Sequence, residues 1–148
     1  MKKILLLLTI VLFIFTGCEK EEKFYLDDKY YGNYKFIDID NSKIDALQSS
    51  KASYLVFTFN PYCTFQKPCD EVFEQFMEKY NISIYNIPFD EFKETKLYEK
   101  VKYAPSVIAV NKGKIVAYLD AESDEDYDKY QDVEEFKKWI EKYVYLEK

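Results

Sequence analysis

The hydrophobic pattern of this chain changes period repeatedly, and each change predicts an element. Tyr34 to Asp40 alternates enough to form a first strand. Asp40, Asn41 and Ser42 then offer helix caps, and Ile44, Leu47 and Ala46 give a short helix an apolar side as far as about Lys51. Tyr54-Leu55-Val56-Phe57-Thr58-Phe59 is almost continuously apolar, as a central strand buried on both faces requires. Asn60-Pro61 ends it.

Pro68 suits the first turn of a new helix, where its missing N–H costs nothing. Asp70, Glu71 and Glu74 favour the positive end of that helix. Val72, Phe73, Phe76, Met77 and Tyr80 recur at helical spacing as its inner face. Ile82 to Ile87 reads as a strand, and Asp90 to Lys100 as a helix with Phe92 and Leu97 inward. Val107 to Val110 and Ile115 to Leu119 are strands flanking the turn signal Asn111-Lys112-Gly113-Lys114. Ala121 to Asp132 is an acidic loop. A last helix runs from Val133 to Tyr145, with Val133, Phe136, Ile140 and Val144 on one stripe and Trp139 expected to pack. The order β-α-β-α-β-α-β-β-α is α/β, a central mixed sheet with one antiparallel edge.

The start of the chain has a different logic. Met1-Lys2-Lys3 is basic, Ile4 to Phe15 is almost wholly apolar, and Thr16-Gly17-Cys18 follows. That is the layout of a secretory signal. The run falls short of the roughly 20 apolar residues of a membrane span. Phe15-Thr16-Gly17-Cys18 resembles a bacterial lipobox, which implies that residues 1–17 are removed and Cys18 carries lipid. An ordinary signal peptide or an uncleaved anchor is the other reading. Residues 18–33 then form a lipidated, charged tether, and residues 34–148 form one folded domain. The expected location is extracytoplasmic, anchored to a bacterial membrane.

Composition narrows the chemistry. The chain of 148 residues has a net charge of −6, no His and, with every basic residue a Lys, no Arg. No basic patch suited to nucleic acid stands out. Without His, the usual Ser-His-Asp and Cys-His nucleophilic arrangements cannot be assembled. Two cysteines left over from lipidation cannot complete an all-cysteine zinc site. The acids Asp120, Glu122, Asp124, Glu125, Asp126 and Asp128 lack the central Gly and closing Glu of a calcium loop, so a solvated acidic loop is expected. What remains is thiol and carboxylate chemistry, with no cofactor and no metal implied. With 15 Tyr and 12 Phe the chain can fill a core.

Cys63 and Cys69 lie between the central strand and the next helix, in Pro61-Tyr62-Cys63-Thr64-Phe65-Gln66-Lys67-Pro68-Cys69. A cysteine at a helix N-terminus meets free N–H groups and the macrodipole, which stabilise a thiolate. Lys67 is expected to be solvated. A structural disulfide is the alternative, since an exported domain meets oxidising surroundings. Closing so short a loop stabilises by roughly 2–3 kcal/mol in the chain-entropy model. Both readings stay open on the residues alone.

Tyr103-Ala104-Pro105-Ser106-Val107-Ile108-Ala109-Val110-Asn111-Lys112-Gly113-Lys114 resembles the thioredoxin segment that carries a cis-proline, a strand and a turn glycine. The likeness covers about Tyr34 to Leu146 and implies the thioredoxin fold. It also implies a thiol–disulfide oxidoreductase in which Cys63 attacks, Cys69 resolves, and Pro105 with Ala104 and Tyr62 shapes a substrate groove. Protein thiols or disulfides are the implied partners, and a monomer is expected. The acidic, Tyr-rich lead into Val133-Glu134-Glu135-Phe136-Lys137-Lys138-Trp139-Ile140 is similar to thioredoxin-like accessory proteins of bacteriocin export. The chain departs from the family in three places. The pair is Cys-x5-Cys instead of Cys-x-x-Cys, Tyr62 stands for the usual Trp, and Phe57 occupies the place of a buried acid. A non-catalytic binding or accessory lipoprotein is therefore the competing expectation.

Overall fold

Aromatic and β-branched side chains make Tyr54–Phe59 the axis of the computed structural model, which describes residues 22–60 and 68–148. This segment, β2, buries five of its six side chains. Its sheet partners are β1 (Phe36–Asp38), β3 (Ile84–Pro88), β4 (Ser106–Asn111) and β5 (Lys114–Tyr118). The order across the sheet is β1-β3-β2-β4-β5. Strands β1, β3 and β2 run parallel; β4 is antiparallel to β2, and β5 to β4. The expected mixed sheet and element order are both present.

Among the described residues, four α-helices complete the layers: α1 (Asn41–Ser49), α2 (Cys69–Tyr80), α3 (Phe89–Phe92) and α4 (Val133–Ile140). Asp40 caps α1 by accepting from the Lys43 N–H at 2.8 Å. Asp132 caps α4, accepting from the N–H groups of Glu134 and Glu135. Alternation along β2 sends Phe57 toward α2, where its ring lies 5.0 Å from Phe73. Phe73 in turn sits 4.8 Å from Phe136 of α4. On the other face Tyr54 meets Tyr85 edge-on, and Tyr30 donates to the Tyr85 hydroxyl at 2.9 Å.

Four expectations are corrected. The helix foreseen over Asp90 to Lys100 breaks into α3 and a 3-10 turn at Lys96–Glu99. At the break, the buried Thr95 hydroxyl donates to the Phe92 carbonyl, a local bond that competes with helix continuation. Phe92 and Leu97 are nevertheless buried, while Ala46 of α1 is exposed. The last helix stops at Ile140, because Val144 pairs with Phe24 in a parallel bridge and the Tyr145 N–H donates to the Phe24 carbonyl. The tether expected over residues 18–33 is therefore folded from Phe24 onward. Phe24, Leu26 and Tyr30 are buried in the common core, because their apolar side chains find a seam beside the starts of β2 and β3.

The β4–β5 turn has Lys112 and Gly113 at positive φ, 49° and 77°, as a two-residue hairpin matched to strand twist requires. A Cβ on Gly113 would also strike the Gln48 backbone carbonyl. Gly113→Ala should lower unfolding stability by at least about 1–2 kcal/mol in urea titration; unchanged stability would show that the turn relaxes freely.

Burial, together with nearby Tyr85 and Asp45, holds the Tyr54 phenol well above its ordinary value, and burial does the same for Tyr30. The folded state thus keeps both neutral while the unfolded chain ionises near pH 10. Above that pH the unfolded state binds fewer protons, so stability present in full below pH 10 falls as pH rises. Each such tyrosine contributes a slope of about 1.4 kcal/mol per pH unit. The Tyr54 hydroxyl is buried without a hydrogen-bond partner. Tyr54→Phe should keep neutral-pH stability and flatten the alkaline slope by about one proton, read from urea unfolding between pH 9 and 11. An unaltered slope would contradict the assignment.

Candidate functional site

Sequence places the thiols just beyond the carboxyl end of β2, and the described residues define the ground beneath them. Cys63 and Tyr62 lie outside the described residues, as does Cys18. Cys69 is the first residue of α2, preceded by Pro68 at the N-cap. Asp70 and Glu71 follow in the first turn, so the helix opens with acids at its positive end.

Pro105 stands beside this end of the sheet for a topological reason. β4 is antiparallel to β2 with Thr58 opposite Ser106, so the residue before Ser106 is level with the exit of β2 toward Cys63. Pro105 is buried, Ala104 is half-buried, and the bond between them is cis. The fold thus brings the start of α2 and Pro105 to the same end.

Sequence reasoning missed the residue that ties these parts together. Tyr130, fully buried, donates its hydroxyl to the Pro105 carbonyl at 2.9 Å. Its ring lies 6.0 Å from Phe73, one turn into α2 from Cys69. A continuous set of contacts therefore runs from α2 through Phe73 and Tyr130 to Pro105. Tyr130 lies in a 3-10 turn, Tyr127–Tyr130, within the acidic loop. A lone aromatic there has no periodic signal; the Tyr-rich composition of the lead into α4 was the only hint.

The polarity beneath the site is low. Phe57 is buried and stacks against Phe36 at 5.6 Å, so hydrocarbon fills the place where the thioredoxin resemblance implies an acid. The neighbouring Thr58 hydroxyl is buried with no hydrogen-bond partner, while Ser106 donates to the Leu119 carbonyl at 2.6 Å. An open cleft of about 220 Å³ lies between the first turns of α2 and α4, lined in part by Glu71, Gln75 and Glu134. Of these, Glu134 accepts from Lys79 in the last turn of α2 at 2.6 Å, a contact that lowers the Glu134 carboxyl below its usual range.

Tyr130→Phe removes the buried bond that the Pro105 carbonyl accepts. A loss of about 1–3 kcal/mol in chemical denaturation is expected. No loss would mean that the hydroxyl does not hold Pro105.

No family model and no curated protein matches the chain. Solved structures do. Oxidised thioredoxin of Plasmodium falciparum is similar at a TM-score of 0.51 and 21% identity, over 74% of this chain and 97% of that one. A mutant thioredoxin of Halobacterium salinarum gives 0.53 at 19% identity, over 76% and 93%. A thioredoxin of Schistosoma mansoni gives 0.50 at 22% identity, over 75% and 97%.

Proposed function

We propose that this chain, which has the thioredoxin fold, is an extracytoplasmic, lipid-anchored thiol–disulfide oxidoreductase acting on protein thiols or disulfides. The observation that carries the reading is the meeting of α2, which opens at Cys69, with Pro105 through Phe73 and Tyr130. The thioredoxins among the similar structures support an oxidoreductase-like function.

In the reductase direction the Cys63 thiolate attacks one sulfur of a substrate disulfide. An S–S bond forms between Cys63 and the substrate, and the other substrate sulfur leaves as thiolate and takes a proton. Cys69, deprotonated, then attacks the Cys63 sulfur, releasing the second substrate thiol. Two electrons pass to the substrate and the Cys63–Cys69 disulfide remains. An external dithiol must reduce it for the next cycle. Pro105 borders the groove in which the substrate strand lies.

Phe57 favours a second reading, because hydrocarbon there cannot take the proton of the resolving thiol. In that reading the pair braces its loop and the groove only binds. Insulin-disulfide reduction with dithiothreitol as donor separates the two. Turnover by the parent, none by Cys63→Ser, and a stable mixed disulfide in Cys69→Ser are expected. A pair that resists reduction in the folded protein, with no turnover, would leave only the binding role.

A further inference from the structure

Charge and aromatic side chains divide this domain into two unlike poles. The pole at the starts of β2 and β3 is where the chain enters the fold. There the Asp27 N–H donates to the Ser53 carbonyl, the Ser83 N–H to the Tyr30 carbonyl, and Gly32 to Asn81. The β4–β5 turn joins the same pole, with the Gly113 N–H donating to the Ala52 carbonyl and the Lys112 N–H to the Ser53 hydroxyl. The thiol loop leaves from the opposite end of β2, about 20 Å away at the rise of a strand.

Six exposed lysines gather at the entry pole: Lys23, Lys29, Lys51, Lys112, Lys114 and Lys148. The acids among them are Glu22, Asp27, Asp28 and Glu147, of which Asp28 pairs with Lys148 and Asp27 accepts from the Ser53 N–H. The other pole carries Asp70 and Glu71 of α2 and the acidic loop between β5 and α4, in which Lys129 pairs with Asp126; Lys102 is exposed there, three residues before Pro105. In a chain of net charge −6, the six lysines against four acids give the entry pole a local positive excess. Two exposed tyrosines, Tyr25 and Tyr145, stack at the entry pole with ring centres 4.5 Å apart, and Lys23 extends over the Tyr145 ring. Amphipathic rings beside lysine suit the headgroup layer of a bilayer.

We propose that this lysine–tyrosine pole rests on the anionic headgroup surface of the membrane that holds the Cys18 lipid, with the thiol loop turned away from it. The proposal rests on the anchor in the reading above. Six residue steps separate Cys18 from Phe24, where the fold begins, and they span at most about 20 Å. The entry pole cannot leave the surface by more than that reach. An anionic surface attracts each nearby lysine and repels the acidic pole, which fixes the sense of the domain. The thiol pair then meets partners approaching from the aqueous side.

The full, membrane-anchored chain in vesicles of equal phosphatidylglycerol and phosphatidylcholine tests this by amine labelling. Lys112 and Lys114 should label about fivefold more slowly than in pure phosphatidylcholine, with Lys102 unchanged. High salt should abolish the difference. The combined variant Lys51→Gln, Lys112→Gln, Lys114→Gln should lose the protection of Lys23 and keep insulin-disulfide reduction. Equal labelling of Lys112, Lys114 and Lys102 in the anionic vesicles, with lipid found on Cys18 by mass spectrometry, overturns the orientation. Absence of lipid on Cys18 overturns the anchor and the proposal with it. Failure of disulfide reduction alone, with protection intact, overturns only the redox reading.

Discussion

Burial of β2 on both faces is the constraint from which the rest follows. Its side chains alternate between the Phe73 and Phe136 layer and the Tyr85 and Tyr30 layer, so neither face can reach water. A strand so enclosed must be central, and its carboxyl end must open onto the rim of the sheet. That is why the segment carrying Cys63 starts from the rim. Phe57 belongs to this packing: its ring lies between Phe36 and Phe73. Replacing it with a carboxylate would place a charge among aromatic rings, at a large desolvation cost.

The tyrosines divide into structural and surface classes by what their hydroxyls find. Tyr130 and Tyr30 are buried and bonded, one to the Pro105 carbonyl and the other to Tyr85. Tyr54 is buried without a partner. Tyr25 and Tyr145 keep their rings partly in water at the far pole. An abundance of one residue type therefore serves core filling, site support and surface character at once, because the phenol joins a large apolar ring to a single polar atom.

Elements with strong periodicity were legible in the sequence. The bounds of β2 agree residue for residue, and Val72, Phe73, Phe76 and Met77 are buried on α2 as their spacing implied. Pro105 was singled out by its segment, and its place in the fold is where β4 meets the exit of β2. What stayed hidden depends on contacts distant in sequence. Tyr130 acts through a bond across 25 positions, and Phe24 is ordered by Val144 from the other end of the chain. The run Glu-Lys-Glu-Glu-Lys masked the buried Phe24 and Leu26 just after it, because local charge outweighs two apolar residues in any window. The break at Thr95 was equally invisible, since one hydroxyl bond decided it.

The bridge between Phe24 and Val144 also determines how mechanical load enters the domain. Phe24 exchanges backbone bonds with Tyr143 and Tyr145, and the Tyr31 hydroxyl donates to the Tyr145 carbonyl at 2.7 Å. Tension arriving along the N-terminal chain is therefore taken up by the segment after α4 and by the side chains of Phe24 and Leu26 in the core. The load path closes at one end of the molecule, and the strand ends that frame the thiols lie outside it.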